Sequence, residues 1–215
     1  MRRTIPLAAL VLTCAIALPL SAAFLTIPQP DIAYTSSTNL LPVNGIELSN
    51  ISSITDGILT ASFSSQLQVA TVPGNWLNWG SAPEVENATP RVLITPGVDA
   101  TLLTITFSQG LSVFGLEAAP DAFGPSVMTA NFFNGATNLG SIQLSPDGSI
   151  GARLFAASSS TPITSIDITA VGTDFAIGDL RYAVAAAAVP EPGTWIGLAS
   201  GLVLFGLSRR RKLGQ

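Results

Sequence analysis

Strict alternation of apolar and polar side chains is the sequence feature that most constrains this fold. Leu103, Ile105 and Phe107 fall on one face of an extended chain, and Thr104 and Thr106 fall on the other. Similar short segments, rich in Val, Ile, Thr and Phe, recur at intervals of roughly 8 to 12 residues and end in turn residues. Such a series of half-buried strands predicts an all-β domain, in the form of a jelly-roll-like β-sandwich.

The turn residues divide the chain into predicted strands. These span residues 91–95, 101–107, 111–117, 127–133, 137–144, 150–157, 163–171 and 175–184. We interpret Gln109-Gly110 and the serines at 158–160 as breaks between strands, and Leu25–Leu41 as an irregular lead-in. Asn134-Gly135 lies between two strands and predicts a two-residue hairpin turn.

The N-terminus has the three regions of a secretory signal peptide. Arg2 and Arg3 are followed by an apolar stretch and by small residues, so residues 1–23 predict a signal peptide that is cleaved after Ala23. The alternative is an uncleaved membrane anchor. Cys14, the single cysteine, lies inside this segment, so the mature chain would have no cysteine and no disulfide.

The C-terminus combines a Pro-Glu-Pro triplet, an apolar run and a basic cluster. Residues 193–208 carry no charge, and as a helix they would be about 24 Å long, which is short of the roughly 30 Å hydrocarbon core of a bilayer. The cluster Arg209, Arg210, Arg211 and Lys212 predicts a cytoplasmic stop for this transmembrane helix. The alternatives are a core helix packed on the sandwich and a permanent single-pass anchor.

The order Pro190-Glu191-Pro192, apolar span and basic cluster resembles the PEP-CTERM sorting signal. That resemblance implies recognition by an exosortase, a membrane transpeptidase-like protease of Gram-negative bacteria, many of which make extracellular polysaccharide. The segments FGLE, FFNG, GARLFAASS and FAIGDLRYA also resemble the body of many PEP-CTERM proteins. This second resemblance implies a lectin-like sandwich without an established activity.

Four regions follow from these signals. Residues 1–23 are the expected signal peptide, 24–184 the β-sandwich domain, 185–189 a small-residue linker, and 190–215 the sorting signal with its transmembrane helix and basic tail.

The body between the two terminal signals is acidic and chemically sparse. From Phe24 to Val189 it has twelve acidic residues against three arginines, a formal charge of −9, and no His, Cys or Lys. This composition excludes Ser-His-Asp and Cys-His triads, lysine Schiff bases and P-loops, and it offers no basic surface for nucleic acid. We predict no cofactor and no metal site. Aspartates 56, 147, 174 and 179 could supply oxygens to a structural calcium, or could simply lie in solvated turns.

The segment from Pro73 to Glu86 is the candidate binding region. Trp76 and Trp79 could stack on a sugar ring while Glu84 and Glu86 bind its hydroxyls. The alternative is that the tryptophans plug one end of the sandwich.

Together these features predict a non-enzymatic structural or glycan-binding protein that is exported and processed by an exosortase. It would be anchored transiently in the inner membrane and then left at the cell surface or in the polysaccharide matrix, where it could bind extracellular polysaccharide. The alternative function is a carboxylate-only glycan hydrolase that acts through Glu84 or Glu86.

Overall fold

The computed structural model describes residues 23–97 and 102–186. Several predicted features lie outside the described residues. They are residues 1–22 of the expected signal peptide, the PEP triplet, the expected C-terminal helix and the basic cluster. Within the described residues, no helix combines the length and hydropathy needed to cross a membrane.

Ten strands and one short helix make up the described part of the chain. In chain order they are β1 (Phe24–Ile27), α1 (Ile32–Ser37), β2 (Asn39–Leu40), β3 (Asn50–Thr55), β4 (Thr60–Thr71), β5 (Arg91–Ile94), β6 (Leu102–Pro120), β7 (Met128–Asn134), β8 (Thr137–Leu144), β9 (Arg153–Ala170) and β10 (Phe175–Val184). The predicted all-β class is confirmed.

All the strands belong to one antiparallel hydrogen-bonded network. Its main path runs β2-β10-β5-β4-β6-β9-β7-β8, with β1 paired to β9 and β3 paired to β4. Strand β10 also pairs with β6, so β4, β5, β10 and β6 close a circuit. The sheet therefore curls around the apolar faces of its strands.

Two of the predicted strand breaks are wrong. Strand β6 continues through Gln109-Gly110, and β9 continues through the serines at 158–160; register shifts in the β6–β9 pairing accommodate the extra residues. Gly110 serves close packing, since a Cβ atom there would lie 2.7 Å from Cβ of Pro162. Both strands keep hydrogen-bonded neighbours on either side of the irregularity, so the chain bends without leaving the sheet.

The lead-in at residues 25–41 is also more ordered than predicted. It contains β1, α1 and β2, and Asp31 caps the helix by accepting a 2.8 Å hydrogen bond at Oδ1 from the backbone N–H of Tyr34. A helix of six residues is too short to show a helical period in the sequence.

The predicted hairpin between β7 and β8 is confirmed, with its turn displaced by one residue. Asn134 pairs with Thr137, which makes Gly135 and Ala136 the two loop residues. Gly135 has φ of 56°, a value that a hairpin loop often requires and that glycine adopts readily.

The core follows the alternation in the sequence. Leu103, Ile105 and Phe107 are buried in the main cluster, which takes side chains from most strands. A smaller apolar cluster includes Val72, Trp76, Trp79 and Val85. Two of the candidate binding residues, Trp76 and Trp79, are thus packed in this second cluster.

Candidate binding cleft and the neighbouring carboxylate cluster

All four predicted binding residues lie on the long connection between β4 and β5, residues 72–90, which we call the 72–90 loop. Its two ends are joined because the backbone N–H of Val72 donates a 3.2 Å hydrogen bond to the carbonyl of Pro90. The loop packs on the smaller apolar cluster. Long connections of this kind in compact domains often serve a function.

Trp79 is completely buried in this loop. Its indole Nε1 donates a 2.7 Å hydrogen bond to Oε2 of Glu117, and its carbonyl accepts a 2.8 Å bond from the N–H of Ala152. Gly178 leaves room for the ring, since a Cβ atom there would lie 2.9 Å from Cζ2 of Trp79. Trp79 thus presents no ring face to solvent, which favours the packing interpretation of this residue over sugar stacking.

Trp76 is also buried, with 8% of its surface exposed, but it borders a cleft. The two tryptophans therefore do not form a shared platform. Of these two tryptophans, Trp76 is the one that lines the cleft and could touch a ligand there.

The two glutamates of the loop each bind an arginine. Glu84 Oε2 lies 2.5 Å from Nη1 of Arg153, and Glu86 binds Arg181 through both of its oxygens at 2.5 Å. Arg181 Nη1 also donates 3.1 Å hydrogen bonds to the carbonyls of residues 35 and 38, at the end of α1. These contacts connect the loop to β9, β10 and α1, and each of the two carboxylates is paired with a guanidinium group.

The loop contributes to a carboxylate cluster, which we define as Glu86, Glu117, Asp179 and Arg181. The sequence named Glu86 and Asp179 as candidates for other roles, and it gave no role to Glu117 or Arg181. Glu117 is 1% exposed, and its Oε1 accepts a 2.5 Å hydrogen bond from the N–H of Glu86 while Oε2 binds Trp79. Asp179 carries φ of 44° at a register shift in the β10–β6 pairing, and its Oδ2 has no hydrogen-bond partner in the described residues.

Burial and mutual repulsion keep protons on this cluster. Burial, and then the charge of Asp179, raise the pKa of Glu117 to about 8. Burial, and then the charge of Glu86, raise the pKa of Asp179 to about 6, while a hydrogen bond with the Glu117 side chain opposes the shift. Near neutral pH we therefore expect the Glu117–Asp179 pair to share one proton.

Sequence signals for this cluster existed in the segments FGLE and FAIGDLRYA, which contribute Glu117, Asp179 and Arg181. A carboxylate inside an otherwise apolar strand is unusual enough to mark Glu117 as a residue with dedicated partners. Its partners lie 31 and 38 residues away along the chain, and no spacing rule connects them.

A cleft of about 280 Å³ lies between the 72–90 loop and the connection from β6 to β7; we call it the Phe123 cleft. Its lining comprises Asn75, Trp76, Leu77, Asn78, Ile94, Pro120, Asp121, Ala122, Phe123 and Gly148. Phe123 is 96% exposed and Leu77 is 77% exposed. Sequence reasoning missed Phe123, although an aromatic residue among Asp121, Gly124 and Pro125 falls outside every strand pattern.

Hydrogen bonds hold both walls of this cleft in place. Asn75 Nδ2 donates to Oε1 of Glu47 at 2.8 Å, and Asn78 Nδ2 donates to the carbonyl of Ser149 at 2.7 Å. On the opposite wall, Asp121 N–H donates to the carbonyl of Asp174 at 2.8 Å. The cleft thus combines an exposed phenyl ring, part of the Trp76 side chain, two anchored amides and the Asp121 carboxylate, which are groups suited to binding a ligand.

Other features of the surface offer less. A groove of about 590 Å³ beside α1 is lined by Ile32, Pro83 and Glu86 among others, and none of the described residues that line it is aromatic. Within the described ranges, no three Asp, Glu, His or Cys side chains are arranged to hold a metal ion. Asp56 is engaged instead by the backbone N–H groups of residues 58 and 59 and by the Tyr182 hydroxyl.

Comparison with known families identifies the C-terminus. Residues 188–212 match the PEP-CTERM protein-sorting motif. The chain is therefore a protein that bears a PEP-CTERM sorting motif, as its ending predicted. A search of curated proteins finds no match.

Several solved β-domains share a limited likeness with this chain. TmCBM61 in complex with β-1,4-galactotriose has 7% identity and a TM-score of 0.35, covering 60% of this chain and 90% of the other. A mutant of the carbohydrate-binding module CBM29-2 has 10% identity and a TM-score of 0.36, covering 67% and 90%. The family 11 carbohydrate-binding module from Clostridium thermocellum, in complex with a mixed-linked tetrasaccharide, has 9% identity and a TM-score of 0.31, covering 65% and 98%.

Proposed function

We propose that this protein is exported, held briefly in the inner membrane by its C-terminal helix, cut by an exosortase and left at the cell surface or in the extracellular matrix. Its body would be a non-catalytic, jelly-roll-like sandwich that binds glycan. The observation that carries the proposal is the PEP-CTERM sorting motif at residues 188–212. The motif supports export and sorting, because its PEP triplet would stand just outside a membrane that the following apolar run enters.

The arrangement of the body's carboxylates supports binding over hydrolysis. A glycosidase needs a pair of carboxyl groups that flank the scissile bond in an accessible site. Glu84 and Glu86 are each bound to an arginine, and Glu117 is buried. The Phe123 cleft, in contrast, offers aromatic rings and amides, and among the described residues that line it Asp121 is the one carboxylate.

Mass spectrometry of both mature termini in an exosortase-bearing host tests the sorting part. We expect an N-terminus at Phe24 and a C-terminus that lacks Arg209–Gln215. Glu191→Ala should leave insertion intact but impair recognition, so that the uncleaved precursor accumulates in the membrane. Thr194→Ala is the matched control and should be processed normally. A wild-type protein that keeps Arg209–Gln215 in this host would replace the sorting proposal with a permanent anchor.

The basic cluster can be tested separately in the same host. Each cation at a helix centre costs about 2.5–3.5 kcal/mol on insertion scales. The combined variant Arg209→Gln, Arg210→Gln, Arg211→Gln and Lys212→Gln should therefore lose its stop and let the tail pass through the membrane unprocessed. Normal processing of this variant would show that the apolar run anchors the tail alone.

A further inference from the structure

We propose that the Phe123 cleft binds an electrically neutral saccharide, with the phenyl ring of Phe123 as the surface on which a sugar ring stacks. The inference deepens the proposed function and rests on it, since it specifies where the glycan binds and of which class it is.

The exposure of Phe123 is the first observation. A phenylalanine side chain is normally at least partly buried, because transferring its apolar surface from water is favourable. Here 96% of the residue is exposed. An aromatic ring left in water at the edge of a concave site is available to bury its face against the apolar face of a ligand.

The connection that carries Phe123 is well fastened, so its exposure is a property of the fold. Gly124 N–H donates to the carbonyl of Ala122 at 3.0 Å, and Ser126 N–H donates to the carbonyl of Pro146 at 2.9 Å. Gly148 packs so closely against the carbonyls of Pro120 and Ala122 that a side chain there would collide with the backbone. Because the backbone beneath the ring is already held in place, ligand binding would have to order only the side chain of Phe123.

The polar groups of the cleft suit hydroxyl groups. Asn75 and Asn78 line it with amides whose Nδ2 atoms are already anchored to the protein, and Asp121 adds a carboxylate. A pyranose presents an apolar ring face and a rim of hydroxyls, which are both donors and acceptors. An apolar platform bordered by oriented amides and one carboxylate is complementary to that pattern.

Charge selects among saccharides. The described residues of the lining include Asp121 and neither lysine nor arginine, and the body from Phe24 to Val189 has a formal charge of −9. A uronate or sulfated polymer would be repelled by this field and would find no cation to pair with in the cleft. A neutral polysaccharide has no such penalty.

The test is affinity electrophoresis of the full chain in a detergent without a sugar headgroup. The gels contain hydroxyethylcellulose, galactan or starch as neutral probes, or alginate as the polyanionic probe. We expect retardation by at least one neutral polysaccharide and none by alginate. Phe123→Ala should weaken the affinity for that polysaccharide at least about tenfold, while Phe123→Trp should retain it. Ile32→Ala is the matched control, since Ile32 is 85% exposed in the groove beside α1.

Each other outcome contradicts a different part of the argument. Neutral-polysaccharide binding that survives Phe123→Ala would overturn this cleft while leaving a glycan-binding function standing. A wild-type chain that none of the neutral probes retards would overturn the glycan-binding function itself. Retardation by alginate as strong as by the neutral probes would indicate unspecific apolar contact and would overturn the proposed selectivity.

Discussion

The carboxylate cluster and the Phe123 cleft share the 72–90 loop, and each reverses the usual distribution of side chains. The cluster buries acidic groups, with Glu117 at 1% exposure, whereas the cleft exposes a phenyl ring at 96%. They differ in where their partners come from. Glu117 binds Trp79 and the backbone of Glu86, and Arg181 binds Glu86 and two carbonyls next to α1.

That difference separates a structural role from a binding role. Glu86, Glu117 and Arg181 find their partners within the described chain, so they fasten the loop to the sheet and need no ligand to explain them. The exposed ring of Phe123 finds no comparable partner in the described chain. We therefore expect substitutions in the cluster to change stability and substitutions in the cleft to change binding.

The largest expected effect is on Trp79. Trp79→Ala should lower the free energy of unfolding by about 3–5 kcal/mol, because it leaves a cavity in the smaller apolar cluster and removes the indole donor from Glu117. Urea denaturation measures this. Trp79→Phe should lose less, since it keeps most of the packing, and Leu77→Ala, at a site 77% exposed, should change stability by less than about 0.5 kcal/mol. Unchanged stability in Trp79→Ala, together with lost polysaccharide binding, would refute the packing role.

A smaller effect distinguishes the two arginine pairs of the loop. In the Arg181–Glu86 pair the side chains are 12% and 25% exposed, and in the Arg153–Glu84 pair they are 35% and 42% exposed. Arg181→Gln should therefore cost roughly 2–3 kcal/mol, because it leaves a mostly buried carboxylate unpaired. Arg153→Gln should cost less than about 1 kcal/mol.

Denaturation of both arginine variants in low and high salt completes this comparison. Added salt should erase the effect of Arg153→Gln and leave most of the effect of Arg181→Gln. Equal losses in the two variants would mean that the loop is fastened by its apolar contacts and not by the buried pair.

The strands were predictable because their signal is local. Leu103, Ile105 and Phe107 alternate with threonines, and this alternation fixes which face is buried whatever the neighbouring strand is. The continuity of β6 and β9 was not predictable. Gly110 is a turn signal in isolation, and only its contact with Pro162 on the paired strand shows why glycine stands there.

The candidate site shows the same limit. Composition pointed to the 72–90 loop, since tryptophans among Gly, Asn and Pro residues are conspicuous, and the structure places Trp76 beside a cleft. What each residue does depends on partners from distant strands. Trp79 can be buried because Glu117, 38 residues away, accepts the hydrogen bond of its indole N–H. Glu86 is paired with Arg181, 95 residues away. Such pairs arise from strand register, which the sequence of one segment does not contain.

The last expected effect is a change in the pH dependence of stability, and it tests the carboxylate cluster. A carboxyl group whose pKa is higher in the folded chain stabilises the fold fully below its unfolded pKa, and that contribution is lost as pH rises through the folded pKa. For Glu117 this stabilisation is lost between about pH 4.5 and about pH 8, and for Asp179 between about pH 3.8 and about pH 6.

Asp179→Asn removes one of these titrations and also lowers the pKa of Glu117, since the Asp179 charge helps to raise it. The variant should match the wild type near pH 4 and become progressively more stable than it towards pH 8, while asparagine tolerates the φ of 44° at this position. Urea denaturation at pH 4, 6 and 8 measures the difference, with Asp121→Asn in the exposed cleft wall as the control. Burial opposes the ionisation of Asp56, but hydrogen bonds donated by Tyr182 and by backbone N–H groups lower its pKa overall. Both proteins share this contribution, so it cancels in the comparison. A stability difference that stays constant over this pH range would show that the cluster carries no shared proton. The contrast between the buried carboxylate cluster and the exposed Phe123 cleft would then depend on the tryptophan and arginine variants.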